Sequence, residues 1–435
     1  MLNSKQSCRT APHAASLFAR KLAQVLSKIL MGVAGTLSAV LLVAAGFLGH
    51  EVYDRQFGDA PPAQVASSAA TASTGKDFGI LGEIAKILGE DFVEPDKAQP
   101  GRLFDGAVEG LFSQLDDSHS TYISPEEYAL QKSDFEGAFE GIGATVSKQG
   151  DWLVITQPLP GTPAERAGVK PGDTILTVDG ESAQGWTVEQ GVRRIRGPVG
   201  KVVKIGVRHA DGKEEELSIQ RASIRQASVS NVPPTGKVTD ASGAEVTDYA
   251  YILIRSFTKT TPTEVKEALE AANKAGAKGI ILDVRSNPGG LLSETIEIAD
   301  MFLDKGEIIS QVDRAGNKQT ASAQRGVVTN LPVVVLQDQF SASGAEVLAA
   351  ALKENGRAQV IGTRSFGKGT VNHLRDLSNG GAVYVSIARW LTAAGNQIEG
   401  QGVQPNIEVN VTQEDIQARR DIWMYRAVEV LRAAR

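Results

Sequence analysis

The feature that most constrains this chain is a regular alternation, from about Tyr249 to Ile361, of short β-branched runs with amphipathic helical stretches. Tyr249 to Ile254, Gly279-Ile280-Ile281-Leu282-Asp283-Val284, Val333-Val334-Val335-Leu336 and Gln359-Val360-Ile361 are apolar runs too short for helices, as expected of strands buried on both faces. Between the first two, Val265, Ala268, Leu269 and Ala272 recur at helical spacing and Gly276 closes the helix. Thr261-Pro262-Thr263-Glu264 reads as its capping box, with proline at the first helical position. Further helices are expected from about Leu291 to Leu303 and from Ser343 to Asn355, stopped by Gly356. Such alternation folds as a largely parallel sheet covered by helices, an α/β layer.

The chain has 435 residues, too many for one ordinary core. From about Phe135 to Ile224 short strands and Gly/Pro turns replace the helical pattern. Trp152 to Ile155, Thr174 to Val178 and Val202 to Val207 read as strands, Pro163 to Gly168 as a helical turn and Val188 to Ile195 as a helix. This is a mostly β module of domain size. Before it, Leu81, Ile84, Leu88 and Phe92, then Val108, Leu111, Phe112 and Leu115, mark two amphipathic helices, closed by the polar turn Leu115 to Ser120. The tail from Glu414 to Arg435 reads as helix, with Ile416, Ile422, Tyr425 and Val428 as its packing residues.

Ile29 to Leu48 carries no charge, a length that spans a bilayer core. Arg9, Arg20, Lys21 and Lys28 precede it, and Glu51 and Asp54 follow. The basic side stays cytoplasmic, which exports the remainder. A cleaved signal peptide is the alternative, with Val43-x-Ala45 as a weak cleavage site. The Ala/Ser/Pro-rich stretch Ala60 to Gly75 is a flexible spacer. Net charge is −6 with both signs interspersed, which argues against a nucleic-acid surface. Cys8 is the single cysteine and precedes the apolar run, so the exported part has no disulfide and no cysteine metal site.

Ser343 stands where a buried strand ends and a helix begins. Free N–H groups there favour a developing oxyanion, with Gly344 as a donor. The plainer reading is that Ser341 or Ser343 only caps the helix. Lys368 lies between Gly367 and Gly369. Buried, it would lose its proton easily and could take one from serine; in the open it is a surface lysine in a glycine turn. Arg285-Ser286-Asn287-Pro288-Gly289-Gly290 follows another buried strand, where α/β sheets bind ligands, and could supply a second N–H donor or be only a tight turn. Among the histidines His13, His50, His119, His209 and His373, His119 and His373 remain as candidate bases, a Ser343–His373 pair is the main chemical alternative, and none has metal-ligand spacing. In the β module, Phe139-Glu140-Gly141-Ile142-Gly143-Ala144 either presents N–H groups to a peptide carboxylate or is a simple turn.

Taken in order, these motifs resemble the carboxyl-terminal processing peptidases, exported or membrane-anchored Ser/Lys endopeptidases. The resemblance covers about Lys76 to Val409. Phe135 to Ile224 is similar to a PDZ domain, with Gly141, Ile142 and Gly143 as carboxylate loop, then Gly161-Thr162-Pro163-Ala164, Pro171-Gly172-Asp173 and Arg196-Gly197-Pro198. Leu282 to Gly290 resembles the family's core signature. The resemblance implies Ser343 as nucleophile, Lys368 as general base, and the Gly289 and Gly344 N–H groups as oxyanion hole. It implies an α/β catalytic core of ClpP/crotonase type with an inserted PDZ domain, an N-terminal helical segment and a transmembrane anchor.

The expected division is 1–28 cytoplasmic, 29–48 anchor or signal, 49–75 linker, 76–134 helical segment, 135–226 PDZ domain, 227–412 protease core and 413–435 C-terminal helix. The implied activity is hydrolysis of exported proteins near a free C-terminus at a bacterial inner membrane. The catalytic part lies on the periplasmic or extracytoplasmic side, no metal, cofactor or nucleic acid takes part, and a homo-oligomer or an activating adaptor is left open. An inactive PDZ scaffold is the alternative, and acyl-CoA chemistry on the crotonase fold a remoter one. The chain departs from the family at Asn372 (usually glutamine), Gly344 (usually alanine), Asp338 (usually asparagine), Asp117-Ser118 (usually a proline before His119) and Asn406 (usually aspartate). Placed on one strand, Lys368 and Asn372 would share a face, so Asn372 is expected to orient the lysine.

Overall fold

The structure, a computed structural model, describes residues 78–324 and 326–434. The apolar run and the linker before residue 78 lie outside them. No helix among the described residues is long and apolar enough to cross a membrane.

Helices α1 (Gly79–Asp91) and α2 (Pro100–Ser113) form where the periodicity places them, yet neither buries a residue. Leu81, Ile84, Leu88, Phe92, Leu111 and Leu115 all stay exposed, because no other layer among the described residues covers that face. Strand β1 (Thr121–Ile123), α3 (Pro125–Phe135) and β2 (Ala138–Gly141) lead into the β module. The module continues through β3 (Ala144–Gln149), β4 (Trp152–Pro158), α4 (Pro163–Arg166), β5 (Thr174–Val178), β6 (Glu181–Ser182), α5 (Val188–Ile195), β7 (Val202–Arg208), β8 (Glu214–Gln220) and β9 (Ala222–Arg225). Its main sheet runs β3-β4-β5-β7-β8, and β2 pairs with β9 to close the module. Leu153, Ile155, Ile175, Val203, Ile205 and Ile219, alternating along their strands, make its core.

The α/β layer follows as β10 (Val229–Ser230), β11 (Ala250–Ile254), α6 (Thr261–Lys274), β12 (Ile280–Asp283), α7 (Leu292–Asp300), β13 (Glu307–Asp313), β14 (Lys318–Ser322), β15 (Val333–Gln337), α8 (Gly344–Glu354), β16 (Ala358–Gly362), β17 (Thr370–Asp376), β18 (Ala382–Leu391), β19 (Ile407–Glu408), α9 (Gln413–Gln417) and α10 (Ile422–Ala433). The sheet order is β10-β11-β12-β15-β16-β19, parallel from β11 onward. Each strand is apolar on both sides for a visible reason. Ile252, Leu282, Val335 and Val360 pack with Val265, Leu269, Ile298 and Leu348 of the helices. Leu253, Ile281, Val334 and Ile361 pack with Met424, Ala427, Val428 and Leu431 of α10. An antiparallel sheet, β1-β18-β13-β14 with β17 on β18, stands beside this layer.

Two local expectations are corrected. The N-cap of α6 is Thr260, without a side-chain cap bond. Glu264 instead accepts the N–H groups of Ser228 and Val229, at 2.8 and 3.0 Å, and so fastens the chain entering β10. The tail is two helices, and Ile416 is exposed while Met424, Ala427 and Leu431 join Val428 in the core.

Candidate active site

Strands β12 and β15 are parallel neighbours in register from Ile280↔Val333 to Asp283↔Leu336. The segments that follow them therefore leave the same sheet edge side by side, where α/β folds place their sites. After β12 comes the glycine loop. After β15 the chain turns through Asp338 to Ser343 and enters α8.

The two serines of this turn have different fates. Ser341 Oγ accepts from Asp338 N at 2.9 Å and donates to the Val284 carbonyl at 2.8 Å, so it ties the two loops together. Ser343, 4% exposed, sits at the N-cap of α8 with φ 53° and ψ −116°. A non-glycine residue there carries about 1–3 kcal/mol of strain and persists only where its surroundings impose it. They do: Ala342 N donates to the Asn287 carbonyl, and Ser343 N donates to Glu346 Oε2 at 2.8 Å. Asp338 accepts from Ser286 N, Ser286 Oγ and Phe340 N, and its second oxygen gives it one more acceptor than the usual asparagine has.

The glycines allow close approach. A Cβ on Gly289 (φ 103°) would lie 2.7 Å from Ser343 Cβ, and one on Gly290 would lie 2.2 Å from the Phe257 carbonyl oxygen. Gly344 is also required here, since a Cβ would fall 2.6 Å from Thr295 Oγ1 and 3.0 Å from the Phe257 ring. The expected pair of oxyanion donors is only half present. Gly344 N–H takes no acceptor among the described residues, but Gly289 N–H donates to Asn287 Oδ1 at 2.8 Å. The asparagine two residues back captures it, as such side chains do in turns. The neighbouring Gly290 N–H takes no acceptor among the described residues and faces away from its bridge to Phe257.

Lys368 is 1% exposed. Burial pushes its ammonium down to about 8, against the opposing pull of Glu399, Glu346 and Asp117. Its Nζ lies 3.5 Å from Tyr384 Oη and 5.4 Å from the centre of that ring. Three consecutive N–H groups of its loop are taken by two carboxylates. Gly367 and Lys368 donate to Glu346, at 2.7 and 2.9 Å, and Gly369 donates to Glu399 at 2.7 Å. Ser365 Oγ adds a fourth donor to Glu346 at 2.6 Å. The Ser343 and Lys368 N–H groups thus meet on one oxygen, Glu346 Oε2. Burial pushes the Glu346 carboxyl up to about 7 while its four donors pull it back. Sequence reasoning passed over Glu346, although Ser343-x-x-Glu346 is the spacing of a capping box and was the signal available. No local pattern announced Glu399 or its partner His119.

Asn372 is placed differently from expectation. Strand β17 starts only at Thr370, so Lys368 lies outside it and the even spacing to Asn372 fixes no shared face; the register shift beside Asn372 passes over Ile387 of β18. The Asn372 amide donates to the His119 carbonyl at 2.8 Å and to Ser386 Oγ at 3.1 Å, and its oxygen accepts from Thr370. It holds the N-terminal segment, not the lysine. On the far side of the sheet edge, Arg285 bridges Asp283 of β12 to Asp421 at the start of α10.

In the β module, the N–H groups of Ile142 and Gly143 take no acceptor among the described residues. Gly143 (φ 79°) sits against Thr162, whose Oγ1 donates to the Gly143 carbonyl. Strand β3 leaves this loop as the end strand of its sheet, and α5 packs near it. An open strand edge beside a helix, headed by free N–H groups, suits an added peptide strand ending in a carboxylate.

Residues 248–409 match peptidase family S41, and residues 133–208 match the PDZ domain. The carboxy-terminal processing protease CtpA of Bacillus subtilis is 36% identical over 78% of this chain and 71% of its own length. A probable CtpA-like serine protease of Staphylococcus aureus is 32% identical over 75% of this chain and 64% of its own length. Among solved structures, a photosystem II D1 C-terminal processing protease is 27% identical, covers 76% of this chain and 92% of its own, and superposes with a TM-score of 0.46.

Proposed function

The chain belongs to the carboxy-terminal processing peptidases of family S41, serine-type enzymes with a PDZ domain, and from that premise we propose that Ser343 and Lys368 form its catalytic dyad. The observation that carries this reading is the shared carboxylate: Glu346 Oε2 takes the N–H of both residues, so nucleophile turn and lysine loop are held two hydrogen bonds apart. Burial makes neutral Lys368 accessible near pH 8, as a base requires. Neutral Lys368 takes the Ser343 hydroxyl proton while Oγ attacks the scissile carbonyl. The oxyanion forms against the Gly344 N–H, with Gly290 as the second donor in place of Gly289. The lysine returns its proton to the leaving amine, and water, activated by the same base, releases the acyl group.

Under this reading the PDZ loop Gly141-Ile142-Gly143 takes the carboxylate of a protein substrate and β3 takes its last residues as an added strand. The core would be of the ClpP/crotonase type, and residues 29–48 would anchor it with the site outside the cytoplasm of a bacterium. Its support is the uncharged run and the basic residues before it. An inactive scaffold would have no use for a strained serine and a buried lysine fastened to one carboxylate.

Purified protein assayed on a protein with a defined C-terminus tests the dyad. Ser343→Ala and Lys368→Ala should each lose turnover by about 10³-fold or more, because the two act as a unit. Ser341→Ala should keep activity. The wild-type rate should rise with pH through about 8 as Lys368 loses its proton. An active Lys368→Ala variant would refute the assignment.

A further inference from the structure

The lysine loop is held on two sides, and the two sides differ. Glu346 is fully buried and belongs to the nucleophile helix. Glu399 is 41% exposed in its side chain and belongs to the turn after Ile398. Gly369 must be glycine for this contact, since a Cβ would lie 2.1 Å from Glu399 N. The other oxygen of Glu399 accepts from His119 Nε2 at 3.1 Å. His119 is buried and is not part of the α/β layer; it comes from the polar turn that ends the N-terminal helical segment. That turn is fastened around the site at several further points. Asn372 holds the His119 carbonyl, Ser386 N donates to Ser120 Oγ at 3.0 Å, and β1 pairs with β18 at Thr121↔Tyr384, the tyrosine beside Lys368.

We propose that Glu399 is a positioning residue for Lys368, fixing its loop through the Gly369 N–H, and that His119 of the N-terminal segment latches Glu399 in place. The N-terminal segment is then a wall of the active site, and its docking sets the base. This rests on Lys368 being the base. Among the described residues, the charged and titratable groups facing that lysine include Glu346 from α8, Glu399 from its turn, Asp117 from the N-terminal segment and Tyr384 from β18. Glu399, the largest of the opposing influences on Lys368, favours the ammonium, and removing its charge leaves burial less opposed. The lysine then becomes neutral at lower pH, so the rising limb of the rate profile moves toward acid.

The test uses the full chain, with kcat and KM measured across the pH range and folding checked by circular dichroism. Glu399→Gln keeps one acceptor oxygen and loses the charge. Its rising limb should move to lower pH, so that the fraction of its plateau rate reached at pH 7 increases by about twofold or more. Glu399→Ala also abandons the Gly369 N–H, and its plateau kcat should fall by about tenfold with KM within about twofold. His119→Ala should reproduce that fall, and His119→Gln, which restores a donor near Nε2, should recover most of it. A purely structural glutamate would lower the amount of folded enzyme and leave the pH profile where it was. An unmoved profile in Glu399→Gln overturns the role of Glu399, and wild-type kcat in His119→Ala overturns the latch. Inactivity of Lys368→Ala in the same assays keeps either failure distinct from a failure of the dyad.

Discussion

Two glycine loops, 289–290 and 141–143, look alike on paper and are built for opposite ends. Both place glycine at positive φ hard against a neighbour: Gly289 on Ser343, Gly143 on Thr162. In the first, a buried asparagine closes the loop from inside, Asn287 Oδ1 taking Gly289 N–H while its amide donates to the Ile254 carbonyl at 2.8 Å. In the second, no side chain among the described residues fills the N–H groups of Ile142 and Gly143. A loop that must hold a reacting geometry is locked by its own side chains, because a transition state tolerates little misplacement. A loop that must receive a carboxylate keeps its donors free, because every donor already paired is one the ligand cannot use.

The strongest way to break this contrast is to unlock the first loop. Asn287→Ala removes both bonds and leaves the buried Ile254 carbonyl and Gly289 N–H without partners. We expect kcat to fall by about 100-fold or more, the scale of a lost transition-state donor. Affinity of the PDZ module for a peptide with a free carboxylate should stay within about twofold, read by fluorescence anisotropy on the same protein. A wild-type kcat would mean that the loop keeps its shape without the asparagine. An equal loss of peptide affinity would mean that the two loops are not independent.

A smaller effect is expected on the second loop, and it should appear in KM. If the proposed loop takes the substrate carboxylate, amidating the C-terminus removes its charge-assisted bonds to Ile142 and Gly143 and should raise KM by about tenfold with kcat kept. Gly143→Ala, whose Cβ would lie 2.4 Å from Thr162 Cβ, should do the same for the free-acid substrate. Equal KM for acid and amide would move substrate selection away from this loop.

The contrast also explains what could be read from the sequence. The strands β11, β12, β15 and β16 were legible because a strand buried on both faces has to be apolar throughout, and Ile281 and Leu282 pack into opposite cores. Ser343 and Lys368 were legible as candidates because each breaks a local pattern, one at a helix start and one between glycines. Their neighbours were not. Glu399 is about thirty residues beyond Gly369, and His119 is 280 residues before Glu399. Nothing in a linear pattern couples them. The parity argument for Asn372 failed for a local reason: β17 begins only at Thr370, so Lys368 lies before the strand and its side chain follows no strand alternation. The helical periods of α1 and α2 announced the helices but not their exposure, since periodicity names an apolar face without saying what covers it.

The mildest test concerns Asn372, which locks as Asn287 does but one step further from the chemistry. Each donates its amide to a buried backbone carbonyl at 2.8 Å, Asn287 to Ile254 and Asn372 to His119. Asn287 sits in the loop that touches Ser343, whereas Asn372 reaches the site only through the N-terminal turn. Asn372→Ala leaves the His119 carbonyl and Ser386 Oγ short of a donor, a cost of about 1–3 kcal/mol for groups this buried. Thermal denaturation should show that loss as a lower Tm, while kcat falls only a few-fold, because Ser386 N, Ser120 and β1 still fasten the turn. Asn372→Gln, although it restores the residue usual in relatives, should not improve the rate. Its amide is one methylene longer, about 1.5 Å, and the side chain is 5% exposed with His119 already at bonding distance, so it must displace the turn it is meant to hold. A faster Asn372→Gln enzyme would show that the position acts on Lys368 after all, and the distinction between a lock on the site and a lock on its wall would collapse to a single one.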